Sequence, residues 1–166
     1  LYVRKGVRLA PLLTGGGQEE GLRSGTEPTA QIAGFAAACR AALADTGRLE
    51  RTAAVRDYTL AALRKALPAL EVISPGDVPH ICAVTLPRYK SEVIVRVLGD
   101  RGVCVSSGSA CHKGRPSHVY AALRLPKAWL DGALRISFSP DSTRAEADRL
   151  VSALADAAGL LFPSMS

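Results

Sequence analysis

The residues with the clearest capacity for chemistry are Ser106-Ser107-Gly108-Ser109-Ala110-Cys111, in which three hydroxyls and a glycine precede a thiol. His112, Lys113, Gly114 and Arg115 follow it. A polar, cationic, glycine-punctuated segment exposes a thiol and favours its anion, because nearby positive charge stabilises thiolate. The other three cysteines have apolar neighbours, "AACRAA" at Cys39, "ICAV" at Cys82 and "GVCVSS" at Cys104. There a cysteine behaves as a small hydrophobe, so all three are expected to be buried. Cys111 is therefore the candidate nucleophile. Neither His112 nor His118 stands at a spacing that specifies a Cys/His catalytic pair. Cys104, Cys111, His112 and His118 lack the paired spacing of a tetrahedral zinc site, so no metal is expected.

A second group runs from Gly15 to Thr26, "GGGQEEGLRSGT". Free backbone N–H groups, the Thr26 hydroxyl and the Arg23 guanidinium together suit an anion such as a phosphate. The same residues also suit a plain tight loop in which Thr26 caps the following helix. The spacing is neither that of a P-loop nor that of a dinucleotide fingerprint. A third candidate is Arg135 in "LRISFS", one charge in an apolar strand. A guanidinium aimed into a cleft grips a carboxylate bidentately, whereas one on the outer face of an alternating strand only meets solvent. Spacing leaves both readings open.

These residues need elements to position them. Residues 2–9 alternate weakly and suit a strand, and Gly15-Gly16-Gly17 breaks it. A helix capped by Thr26 follows, with Ile32, Phe35, Ala36, Cys39 and Leu43 on its apolar face, ending at Gly47. A second helix spans about 48–67, with Leu60, Leu63 and Leu67 on one stripe and Pro68 at its end. Short runs at 70–73, 80–86, 103–106 and 133–138 have strand composition, with helices at about 91–101 and 143–158. Thr143 and Glu146 form a capping box for the last helix. The order is α+β: a small sheet covered by helices on one face.

Composition bounds the rest. The 166 residues are 48% hydrophobic and 22% charged, which is globular and enough for one domain with a core. Lys and Arg total 21 against 15 acidic residues, but the basic residues are scattered and aromatics are only 5%, so a nucleic-acid stacking platform is not expected. No apolar run approaches the roughly 18 residues of a membrane span. Four irregularly spaced cysteines read as reduced thiols, and with no signal peptide at "LYVRKG" the expected location is cytoplasmic. The first residue is Leu and the chain opens within a strand-like run, so it reads as a piece of a longer protein.

Three stretches, "GGGQEEGLRSGTEPTAQIAGF", "GVCVSSGSACHKGRPSHV" and "GALRISFSPDSTRAEADRLV", in this order resemble the cysteine desulfurases of the class V aminotransferase family. The resemblance implies a fold-type I enzyme using pyridoxal 5'-phosphate, taking sulfur from L-cysteine and releasing L-alanine. It implies that Cys111 forms the persulfide, that Thr26 reaches the cofactor phosphate of the partner subunit in a homodimer, and that Arg135 anchors the substrate carboxylate. Gly108 and Gly114 would let the loop carry sulfur to an acceptor protein, an iron–sulfur scaffold or a tRNA-thiolation enzyme. It further implies that residues 1–26 end the large cofactor-binding domain and that 27–166 form the small C-terminal domain. The family's Schiff-base lysine belongs to an N-terminal half absent here, and neither Lys5 nor Lys113 matches its motif. The chain alone is expected to be inactive. The competing expectations are a non-catalytic small domain or sulfur-carrier module, or a related class V aminotransferase or selenocysteine lyase.

Overall fold

The computed structural model describes residues 1–107 and 118–163. They divide into two compact units, Leu1–Thr46 and Gly47–Ser166.

The first unit holds the glycine-rich loop and one helix, α1 (Thr29–Ala44). The strand expected over 2–9 does not form, because an extended run needs a hydrogen-bonding neighbour and none of the described strands pairs with it. Nor does Thr26 cap α1. Pro28 occupies the cap position, where no side chain accepts a bond, and the helix begins at Thr29. Proline is suited to a helix start because its fixed φ is already near helical and its missing N–H leaves nothing unsatisfied. The expected apolar face exists but is uncovered: Ile32, Phe35 and Leu43 are exposed, Phe35 at 74%.

The second unit is an antiparallel sheet flanked by helices. Strands β1 (Glu71–Ser74), β2 (Ile81–Thr85) and β3 (Ala133–Ser137) lie in the order β1-β2-β3. The β2–β3 register pairs Cys82 with Ile136, Ala83 with Arg135 and Val84 with Leu134. Since successive side chains point to opposite faces, this register puts Cys82, Val84, Leu134 and Ile136 on one face. That face forms the main core with Leu60 and Leu63 of α2 (Arg48–Ala66), Ile94 and Leu98 of α3 (Ser91–Asp100), and Leu150 and Leu154 of the last helix. Thr52 and Thr59 are buried within α2, and each hydroxyl is satisfied by the carbonyl four residues back, Arg48 O and Val55 O, both at 2.7 Å.

The opposite face is also covered, which the single-sided expectation missed. The short helices α4 (His118–Ala122) and α5 (Lys127–Asp131) lie in the same segment as Tyr120, Leu125 and Leu130, which pack with Ala83 and Ala133. Five-residue helices are too short for a 3.6-residue period to show in sequence. Thr85 Oγ1 donates to the Trp129 carbonyl at 2.9 Å, and Leu86 N–H donates to the Gly132 carbonyl at 3.2 Å. Gly132 must be glycine for that approach, because a Cβ there would run into the Leu86 carbonyl.

The last helix, α6 (Arg144–Leu160), opens with the expected capping box. Glu146 N–H donates to Thr143 Oγ1 at 3.2 Å, and Thr143 N–H donates back to Glu146 Oε2 at 2.7 Å. Tyr58 of α2 donates to Asp148 at 2.6 Å, and the Arg144 guanidinium lies over its ring, 5.1 Å from the centroid. These contacts fix α2 against α6.

Candidate functional site

Arg135 is the third residue of β3. Its neighbours Leu134 and Ile136 point into the core, so strand alternation turns Arg135 onto the other face, where it is exposed. Ala83 is its cross-strand partner, and Ala133 lies two residues before it on the same face. Both are small and buried under Tyr120, while Arg135 beyond them stays exposed. The buried Tyr120 stands nearby: burial, the larger influence, raises its hydroxyl pKa, and the Arg135 charge draws it down.

On the free edge of β3, Arg135 meets the start of the cysteine-bearing segment. Arg135 N–H donates to the Ser106 carbonyl at 2.7 Å, and Ser106 N–H donates to the Arg135 carbonyl at 3.1 Å. The strand expected over 103–106 is reduced to this single antiparallel bridge. The Arg135 side chain also reaches Ser106, with Nη2 donating to Oγ at 3.4 Å. In the sequence Ser106 stands out only as part of a polar run. The signal that could have found it is the alternation of "VCVS" opposite "ALRIS", two edges able to form one ladder.

Cys111 lies outside the described residues, as do His112, Lys113, Gly114 and Arg115. Among the described cysteines only Cys82 is buried; Cys39 and Cys104 are exposed, against expectation. Cys39 sits on the uncovered helix α1. For Cys104 the cause is alternation: Val103 and Val105 pack against the core, which turns the residue between them outward. Burial pushes the Cys82 thiol up to about 12, an effect the Arg56 charge only partly offsets. Cys104 opens on a cleft of about 290 Å³ beside Phe138, Thr143, Glu146 and Arg149. Its polar groups are committed elsewhere, Thr143 and Glu146 to each other and Arg149 Nη2 to the Arg101 carbonyl at 3.0 Å. Among the described residues no cluster of His, Cys, Asp or Glu is arranged to hold a metal ion.

Thr26 belongs to the other compact unit, in the exposed loop before α1. Within that loop several donors are already used. Gly16 N–H donates to Ser24 Oγ at 2.9 Å, Gly25 N–H to Gln18 Oε1 at 3.2 Å, and Arg23 Nη1 to the Gly25 and Thr26 carbonyls at 3.3 Å. Glu19 and Glu20 take left-handed conformations, φ 50° and 57°, so the loop folds tightly. Thr26 itself is exposed, and its carbonyl accepts one of the Arg23 bonds.

Comparison with known proteins supplies the frame. The family model for class-V aminotransferases matches residues 1–150. The chain belongs to that family. It is 38% identical over 158 residues to a protein named cysteine desulfurase from Trichormus azollae, covering 91% of this chain and 39% of that protein. It is 34% identical over 167 residues to another of that name from Rhodobacter capsulatus, covering 98% of this chain and 44% of that one. A solved NifS-like protein superposes with a TM-score of 0.84 at 28% identity, over 96% of this chain and 42% of the other. This class-V aminotransferase chain thus spans about two-fifths of the length of the curated relatives it matches. Its small antiparallel sheet flanked by helices agrees with the expected α+β class. Among the described residues no helix is long and apolar enough to cross a membrane.

Proposed function

We propose that this chain is the C-terminal part of a cysteine desulfurase, moving sulfur from L-cysteine through a persulfide on Cys111 and releasing L-alanine. The observation that carries the reading is the pairing of Arg135 with Ser106, which ties a carboxylate-binding cation to the first residue of "SSGSAC". The names of the curated relatives support it. In this reading residues 1–26 end the large cofactor-binding domain and 27–166 form the small domain.

Arg135 binds the substrate carboxylate: its guanidinium is exposed on a strand, flanked by alanines, and offers parallel N–H donors to two oxygens. Cys111 acts as nucleophile. Its thiolate attacks the substrate sulfur, the Sγ–S bond forms, and the Cβ–S bond breaks with its electron pair kept by the substrate carbon, which takes up a proton to give alanine. The residues present fit the phosphate end of pyridoxal phosphate: Thr26 is an exposed hydroxyl residue in a glycine-rich loop, with the Arg23 guanidinium fixed beside it. Thr26 would hold that phosphate across a homodimer interface. When bound, the cofactor supplies the electron sink that weakens the substrate Cβ–S bond. The persulfide then passes to an acceptor protein of iron–sulfur assembly or tRNA thiolation, in the cytoplasm.

Incubating the whole protein, loaded with pyridoxal phosphate, with L-cysteine tests this reading. Alanine and Cys111-bound sulfur should form in equal amounts, and Cys111→Ser should abolish sulfur transfer. Alanine formation without any sulfur on Cys111, or a persulfide acquired there only from another protein, would overturn it.

A further inference from the structure

A guanidinium on an exposed strand turns about several single bonds, and a bidentate grip on a carboxylate requires its plane to be held. On this face the cross-strand Ala83 and the preceding Ala133 end at Cβ and offer the guanidinium no hydrogen bond. Tyr120 packs against those same alanines and bounds the face on the helix side. Among the described residues the one hydrogen bond to the guanidinium is the Ser106 hydroxyl, 3.4 Å from Nη2. Ser106 is itself held fast, because both of its main-chain groups are bonded to Arg135, at 3.1 and 2.7 Å. The acceptor and the side chain it steadies are therefore anchored to each other twice, through the backbone and through the side chains.

We propose that Ser106 is a positioning residue for substrate carboxylate binding: the backbone pair fixes its hydroxyl beside Arg135, and the hydroxyl sets the plane in which the guanidinium meets the carboxylate. The proposal rests on the reading of Arg135 as the carboxylate anchor. It assigns Ser106 no part in the sulfur chemistry. A guanidinium has five N–H donors and a carboxylate uses two, so one can remain with Ser106 while two face the substrate. Losing the hydroxyl frees the side chain to wander, which weakens ground-state and transition-state binding alike and so raises KM without lowering kcat.

The test uses the whole, cofactor-loaded protein with Ser106→Ala, Ser106→Thr and Arg135→Lys. Ser106→Ala should raise KM for L-cysteine about 5-fold, the scale of one ordinary exposed hydrogen bond, with kcat changed less than about 2-fold. Equilibrium binding of L-alanine, which carries the same carboxylate and no sulfur, should weaken by a similar factor. Ser106→Thr keeps a hydroxyl and suits an extended edge, so it should restore both values. An unchanged KM in Ser106→Ala, a threonine variant no better than alanine, or a fall in kcat and melting temperature together would each overturn the proposal. If Arg135→Lys itself leaves KM and L-alanine binding unchanged, the anchor reading fails; if Arg135→Lys weakens both while Ser106→Ala does not, only the positioning role fails.

Discussion

Ser106 and Arg135, 29 residues apart in sequence, form an antiparallel bridge closed by two main-chain hydrogen bonds, with a third between their side chains. Two stretches that looked unrelated, a polar run before a cysteine and a lone charge in an apolar strand, are thereby neighbours. The core explains why the meeting point is fixed. Leu134 and Ile136 are anchored among α2, α3 and α6, and Val103 and Val105 pack against the same cluster, so both backbones are held before any polar contact forms.

Arg135→Lys in the whole protein should lower kcat/KM for L-cysteine by about 2–3 kcal/mol in transition-state stabilisation, the scale of a lost charged hydrogen bond. Lysine keeps the charge but lacks the planar fork. Because Arg135 is exposed and takes no part in the core, the melting temperature should stay close to that of the parent. Steady-state kinetics and a melting curve on one preparation decide it. An unchanged kcat/KM returns Arg135 to a solvent-facing role.

Thiol reactivity should follow exposure. Brief alkylation at neutral pH should mark Cys39 and Cys104, which are exposed, and spare Cys82, which is buried and kept as the neutral thiol. The cationic neighbours of Cys111 in sequence favour its thiolate, so it should react before either. Peptide mass mapping over a time course reads the order, and labelling of Cys82 alongside Cys104 would contradict it.

Much of this fold is legible in the sequence, and the exceptions have physical causes. The helix expected at 48–67 is found at 48–66, and that at 143–158 at 144–160, because a long apolar period and a capping box are local signals. Residues 2–9 and 103–106 have strand composition but form no strand, since pairing depends on a partner that composition does not reveal. Cys39 and Cys104 have apolar sequence neighbours yet are exposed, because burial depends on which way each side chain points and not on the residues beside it in the chain. Of the candidate site, residue types were readable; the bond between Arg135 and Ser106 was not, because register across 29 residues is a tertiary property.

Two local devices in the second unit should be worth measurable stability. Thr143→Ala removes the acceptor for Glu146 N–H and should cost about 1 kcal/mol, typical of a lost helix cap. Gly132→Ala should cost about 1–3 kcal/mol, because its new methyl group must displace the Leu86 carbonyl at the entry to β3. Urea unfolding of each variant measures both. A neutral Gly132→Ala would mean that the turn between α5 and β3 yields without resistance.

Cys82 makes stability depend on pH in a definite direction. Its thiol is raised from an ordinary value of 9.0 to about 12 by burial against Ile136 and its core neighbours. The unfolded chain therefore loses this proton in a range where the folded chain keeps it. With fewer protons bound in the unfolded state, the free energy of unfolding falls as pH rises, so the contribution is complete below the ordinary value and lost on the way to about 12. Cys82→Ala removes the titrating group while leaving a small apolar side chain, at the cost of a modest cavity. Urea midpoints measured from pH 8 to 10, a window chosen to stay below most Tyr and Lys titration, should fall in the parent and fall less steeply in the variant. Parallel slopes in the two proteins would show that the Cys82 thiol ionises in the folded state as readily as in the unfolded one.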